Sequence, residues 1–220
     1  MRARAPRAAL LFALLLGVGA LAGWVVAHLA EAWFLDNLDR PAVEFFARRH
    51  SSGTNAVFRA VTTMGAGWFV TAGVIVAALV SWWATRSSRW PFFFLTVGAA
   101  QMAGHNALKA LLRRPRPDLD PVIEIGGHAF PSGHATTSAG LFLAIALYVG
   151  TVAVRRRSLV WGVATLLAAS VALSRVYLGV HWPTDVVAGL GLGAGIVAIA
   201  VRLFELPGGR NEAPEGTVEE

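Results

Sequence analysis

Six apolar stretches, each about twenty residues long, follow one another along the chain: 8–30, 61–83, 91–112, 132–150, 159–178 and 184–204. A helix needs about 20 apolar residues to cross the hydrocarbon of a bilayer, and only helices and closed barrels satisfy their backbone groups there. The expected fold class is therefore all-α: a polytopic membrane protein with six transmembrane helices. Only 15% of the 220 residues are charged and 55% are hydrophobic, whereas a soluble domain averages about 25% charged.

The stretches divide the chain. Residues 1–30 are expected to form the first transmembrane helix or a signal-anchor. Ala20-Leu21-Ala22 resembles a cleavage site, but the apolar run continues through Trp24, Val25 and Val26, too far for a typical signal core. Residues 31–60 mix Trp33, Phe34, Phe45 and Phe46 with Asp36, Asp39, Arg40, Glu44, Arg48 and Arg49, which suits an outer connection with an interfacial helix. Residues 61–204 are the expected membrane core. Residues 205–220, with Pro, Gly and acids, read as a disordered cytoplasmic tail.

The arginines fix the expected topology. Arg2, Arg4, Arg7, Arg86, Arg89, Arg155, Arg156, Arg157, Arg202 and Arg210 fall on one side of the alternation, and basic loops stay in the cytoplasm. Both termini are then cytoplasmic. The loop 113–130 and the turn 177–183 face outward together. The net charge of +6 sits at the ends of apolar runs, with no basic stripe interleaved with aromatics, so nucleic acid is not an expected partner. The chain has no cysteine, which excludes disulfides and thiolate chemistry.

Three polar constellations lie at that outer boundary. The first is Lys109 to Pro117, Lys-Ala-Leu-Leu-Arg-Arg-Pro-Arg-Pro. Lys109, the only lysine, stands near a helix end. Arg116 follows past a proline that stops the helix. Two cations can thus meet one anion. The adjacent Arg113 and Arg114 read as snorkelling flanks, with contact to a substrate headgroup as the alternative. The second is Phe130-Pro131-Ser132-Gly133-His134. Ser132 suits an N-cap, Gly133 permits close backbone approach, and the N–H groups of a helix start favour anions. The third is Ser174 to Asp185. Pro183 suits the first helical position, which places Asp185 in the first turn, able to hold one imidazole nitrogen of His181 and free the other. Arg175 adds a planar fork for phosphate oxygens. Clustered cations without clustered acids suit a phosphate rather than a divalent metal. Spacing alone leaves open whether His134 or His181 attacks. His28, His50, His105 and His128 lack matched partners and are read as bystanders.

Lys-x6-Arg-Pro, Pro-Ser-Gly-His and Ser-Arg-x5-His-x3-Asp are the three signatures of the type 2 phosphatidic acid phosphatase (PAP2) superfamily. They stand here, in order and without departure, as Lys109/Arg116-Pro117, Pro131 to His134, and Ser174-Arg175/His181/Asp185. The chain thus resembles that family from its second to its sixth span. The resemblance implies a helical core of the kind shared with haloperoxidases, and phosphoester hydrolysis without metal or other cofactor. It implies His181 as nucleophile, Asp185 as its orienting partner and His134 as proton donor to the leaving oxygen. Lys109, Arg116, Ser132, Gly133 and Arg175 are the implied phosphate-holding groups. The expected partners are the bilayer and a lipid phosphate or pyrophosphate. Candidates are phosphatidic acid, phosphatidylglycerophosphate, diacylglycerol pyrophosphate and undecaprenyl pyrophosphate. The expected setting is a bacterial plasma membrane. Two rivals share the cations. A lipid phosphotransferase would pass the phosphoryl group to a second lipid. An anion transporter would be expected to show internal repeats, which this sequence lacks.

Overall fold

The computed structural model describes residues 31–206, preceded by Leu14, 17–19 and Leu21. Most of the first expected span therefore lies outside the described residues, as does the tail beyond Leu206. The described helices are α1 (Glu31–Phe34), α2 (Arg40–Ala47), α3 (Ser52–Thr62), α4 (Gly67–Thr85), α5 (Arg89–Leu112), α6 (Gly133–Val152), α7 (Arg157–Tyr177) and α8 (Pro183–Leu203). A wider π-helical turn, Leu35–Asp39, joins α1 to α2. Among the described residues there is no β-strand.

Four of these helices are long and apolar enough to cross a membrane: α4, α6, α7 with the turn before it, and α8. Helix α5 is as long as the longest of them, at 24 residues, but Gln101, His105, Asn106 and Lys109 interrupt its apolarity. Two of these, Gln101 and His105, are buried. Polar groups at membrane depth turn toward protein rather than lipid.

Helix α6 is the centre of the bundle. It packs against α4, α5, α7 and α8, and it is the most deeply buried of the four spans. Small residues set how close α8 comes. A Cβ at Gly193 would lie 2.3 Å from the Thr136 carbonyl oxygen, and one at Gly189 would lie 2.6 Å from that of Ser132. The two backbones touch, as small residues allow in lipid. That contact draws the start of α6 and the start of α8 to one place. The second span begins at Gly67 rather than at 61, because α3 ends at Thr62 and a 3₁₀ turn, Thr63–Gly65, intervenes. Gly65 fits there against Val171 and His134: a Cβ would meet Val171 at 2.7 Å.

Candidate active site

The site is built where helix ends meet. The chain leaves α7 at Tyr177 and reverses through Gly179, whose φ of +72° suits glycine. It then enters α8 through Trp182-Pro183. Proline at the first helical position leaves no orphan N–H. Asp185 reaches back so that Oδ2 accepts from the Trp182 amide at 2.9 Å. The same oxygen lies 3.4 Å from His181 Nδ1. His181 and Asp185 are both buried.

Arg116 approaches from the loop after α5. Its Nη1 donates to the Val180 carbonyl at 2.7 Å and contacts His181 Nε2 at 3.1 Å. Guanidinium only donates, so Nε2 is the unprotonated nitrogen and Nδ1 carries the hydrogen toward Asp185. Burial lowers the His181 pKa to about 4, against the pull of Asp185 in the other direction. The ring is therefore neutral at pH 7, with its lone pair on the side of the cations.

The second motif arrives on α6. Ser132 caps that helix, its Oγ accepting from the Ala135 amide, and its own amide donates to the Asp185 carbonyl at 3.0 Å. Gly133 lies under the His105 ring; a Cβ there would be 3.2 Å from His105 Nε2. His134 lies within electrostatic reach of Arg175, His181, His105 and Lys109. Lys109 in turn feels Arg116, Asp185 and Arg175. Its Nζ donates to the carbonyls of His128 and Ala129 at 2.6 and 3.3 Å. Arg175 is 2% exposed. Its Nη1 donates to Thr62 at 2.7 Å, while Nε is buried without a partner among the described residues. Lys109, Arg116, Ser132, Gly133, His134, Arg175, His181 and Asp185 thus converge, although they lie on three separate segments.

Four contributors escaped the sequence reading. Arg114 does not snorkel: it is 4% exposed. Its Nη1 donates to Asp185 Oδ1 at 2.5 Å and its Nη2 to Asp39 Oδ2 at 2.7 Å. Asp39, Thr62 and Thr184 are the others. His105, read as a bystander, faces Gly133. Arg114 lay two positions before the motif residue Arg116, and nothing local set it apart from Arg113.

The sequence model of the PAP2 superfamily matches residues 90–207, which holds all three motifs. The chain is 29% identical over 142 residues to phosphatidylglycerophosphatase B of Bacillus subtilis, covering 63% of this chain and 70% of that one. It is 34% identical over 155 residues to decaprenylphosphoryl-5-phosphoribose phosphatase of Mycobacterium tuberculosis, covering 67% of this chain and 75% of the relative. The fold is similar to the crystal structure of a transmembrane PAP2-type phosphatidylglycerolphosphate phosphatase from Bacillus subtilis. There the TM-score is 0.72 at 23% identity, over 88% of this chain and 94% of the other. With the family match spanning more than half its length and a membrane-helical core around the motifs, the chain belongs to the PAP2 superfamily, among its membrane lipid phosphatases.

Proposed function

We propose that this chain hydrolyses a phosphomonoester or pyrophosphate of a membrane lipid through a phosphohistidine on His181. The observation that carries this is the His181 ring: Nδ1 faces Asp185, and Nε2 faces Arg116 inside a cluster of three cations. A phosphoryl group drawn into that cluster would displace Arg116 from Nε2 and meet the lone pair. Nε2 then bonds to phosphorus as the P–O bond to the lipid breaks. His134 gives its proton to the departing oxygen. In the second half, His134 takes a proton from water, the water oxygen bonds to phosphorus, and the P–N bond breaks to release phosphate. Lys109, Arg116, Arg175 and the N–H groups at the start of α6 stabilise charge on the equatorial oxygens. The Nε of Arg175, unpaired among the described residues, supports an anion there, because a buried donor without an acceptor is costly.

The catalytic unit is proposed as 61–204, with 31–60 as its outer connection. The names of the relatives support phosphatidylglycerophosphate or a prenyl-linked phosphate as substrate, beside phosphatidic acid, diacylglycerol pyrophosphate and undecaprenyl pyrophosphate. Phosphate release from a panel of these lipids by the detergent-solubilised protein tests the reading. Release should persist in EDTA and be inhibited by vanadate. Loss in EDTA with recovery on Mg²⁺ would contradict a charge-stabilised, metal-free reaction, and labelling of an acceptor lipid instead of phosphate release would favour the transferase.

The site is proposed to face outward, with both termini in the cytoplasm. Among the described residues, the connections that carry Arg86 and Arg89 and Arg155 to Arg157 lie at helix ends opposite the motifs. Because the protein lacks cysteine, single cysteines can report its orientation. In intact cells, Asp118→Cys should react with an impermeant maleimide and Ser87→Cys should not; both positions are exposed. The reverse pattern would invert the topology.

A further inference from the structure

We propose that Asp39 and Arg114 are positioning residues for His181, acting through Asp185 as one buried relay. The inference rests on reading His181 as the nucleophile. Asp185 divides its two oxygens unequally. Oδ1 takes the Arg114 guanidinium at 2.5 Å. Oδ2 accepts the Trp182 amide at 2.9 Å and meets His181 Nδ1 only at 3.4 Å, beyond the usual N–H···O range. The strongest partner of the carboxylate is therefore Arg114, not the imidazole.

Arg114 is itself shared. Its Nη2 donates to Asp39 Oδ2 at 2.7 Å. Asp39 also accepts the Thr184 amide at 3.0 Å and the Thr184 hydroxyl at 2.7 Å. That hydroxyl in turn accepts from Arg114 Nη1 at 2.7 Å. Asp39 and Asp185 are wholly buried, and Arg114 and His181 nearly so. Water cannot compensate any of these charges, so each sets the strength of the next. Asp39 comes from the π-helical turn before α2, upstream of the family match at 90–207. The outer connection thus reaches into the site from a part of the chain that no motif covers.

The charges give the relay a direction. With neutral His181 it sums to one net negative charge: two carboxylates against one guanidinium. That charge balances the positive charge His181 gains as it bonds to phosphorus. Asp39→Asn removes it and leaves Asp185 answered by Arg114 alone, so His181 becomes less basic and less nucleophilic. Arg114→Gln does the opposite to basicity and frees Asp185 from its clamp. The other groups facing His181 are Arg116 from the loop, Arg175 on α7 and His134 on α6, and these stay constant across the variants.

The test is kcat/KM against pH for wild type, Asp39→Asn, Arg114→Gln and Arg114→Lys, taken as the ratio of variant to wild type so that the titration of the substrate cancels. His181 is active when neutral, so each rate falls as pH drops through its pKa. For Asp39→Asn the ratio should rise toward low pH, with that limb displaced down by at least about half a unit. For Arg114→Gln it should fall. Arg114→Lys keeps the charge but not the fork, so kcat should drop about tenfold with KM little changed and a flat ratio. Arg114→Gln carries the greater risk of misfolding, and the other two variants decide the matter without it. A flat ratio for Asp39→Asn, or kcat within twofold of wild type for both Asp39→Asn and Arg114→Lys, overturns the relay. A wild type that releases no phosphate overturns the parent reading instead, and the two failures are thereby distinct.

Discussion

His181→Asn is expected to lower phosphate release by about 10⁴-fold or more, to the background of the assay. In the proposed mechanism every other group in the site holds, orients or protonates, and His181 alone supplies the lone pair that bonds to phosphorus. Asparagine keeps much of the polar character toward Asp185 and Arg116, so the buried carboxylate is not abandoned. Alanine would leave Asp185 with a vacated side, and a stability loss would blur the result. The measurement is phosphate release beside a melting temperature, with the variant expected to melt within a few degrees of wild type. Turnover near the wild-type rate by a folded variant would exclude His181 as nucleophile.

The second large effect separates the two histidines. His134→Ala should slow turnover of a lipid phosphate by about 10²–10⁴-fold, the usual range for loss of a general acid–base. The defect should depend on the leaving group. A phenolic leaving oxygen needs little protonation, so the first half-reaction survives, while activation of water in the second does not. The phosphoenzyme should therefore accumulate in His134→Ala given an aryl phosphate, and not in His181→Asn. Equal and leaving-group-independent losses in the two variants would remove the distinction between their roles.

Much of this architecture could be read from residue patterns because the bilayer imposes strong local rules. Apolar length located α6, α7 and α8 to within three residues at each end. The start of α4 was less legible: the break at 63–66 is set by Gly65 fitting against Val171 and His134, a contact made by distant segments. The three motifs were legible because each is short and each sits at a helix boundary marked by proline, glycine or serine. Arg114 was misread for the opposite reason. A basic run after a helix resembles a snorkelling flank, and what turns Arg114 inward is Asp39, 75 residues earlier, and Asp185, 71 residues later, with no local trace. The proposed division of labour between the histidines is of the same kind. It depends on which ring nitrogen meets Arg116, a relation between side chains rather than between sequence positions.

The account stands most directly on the covalent step. Wild-type protein should be mixed with radiolabelled lipid phosphate, quenched in alkali within a turnover, digested and mapped. The label should be stable to base, labile to acid and confined to the peptide bearing His181. Label on the peptide bearing His134, or steady phosphate release with no protein-bound label at any time, would contradict it.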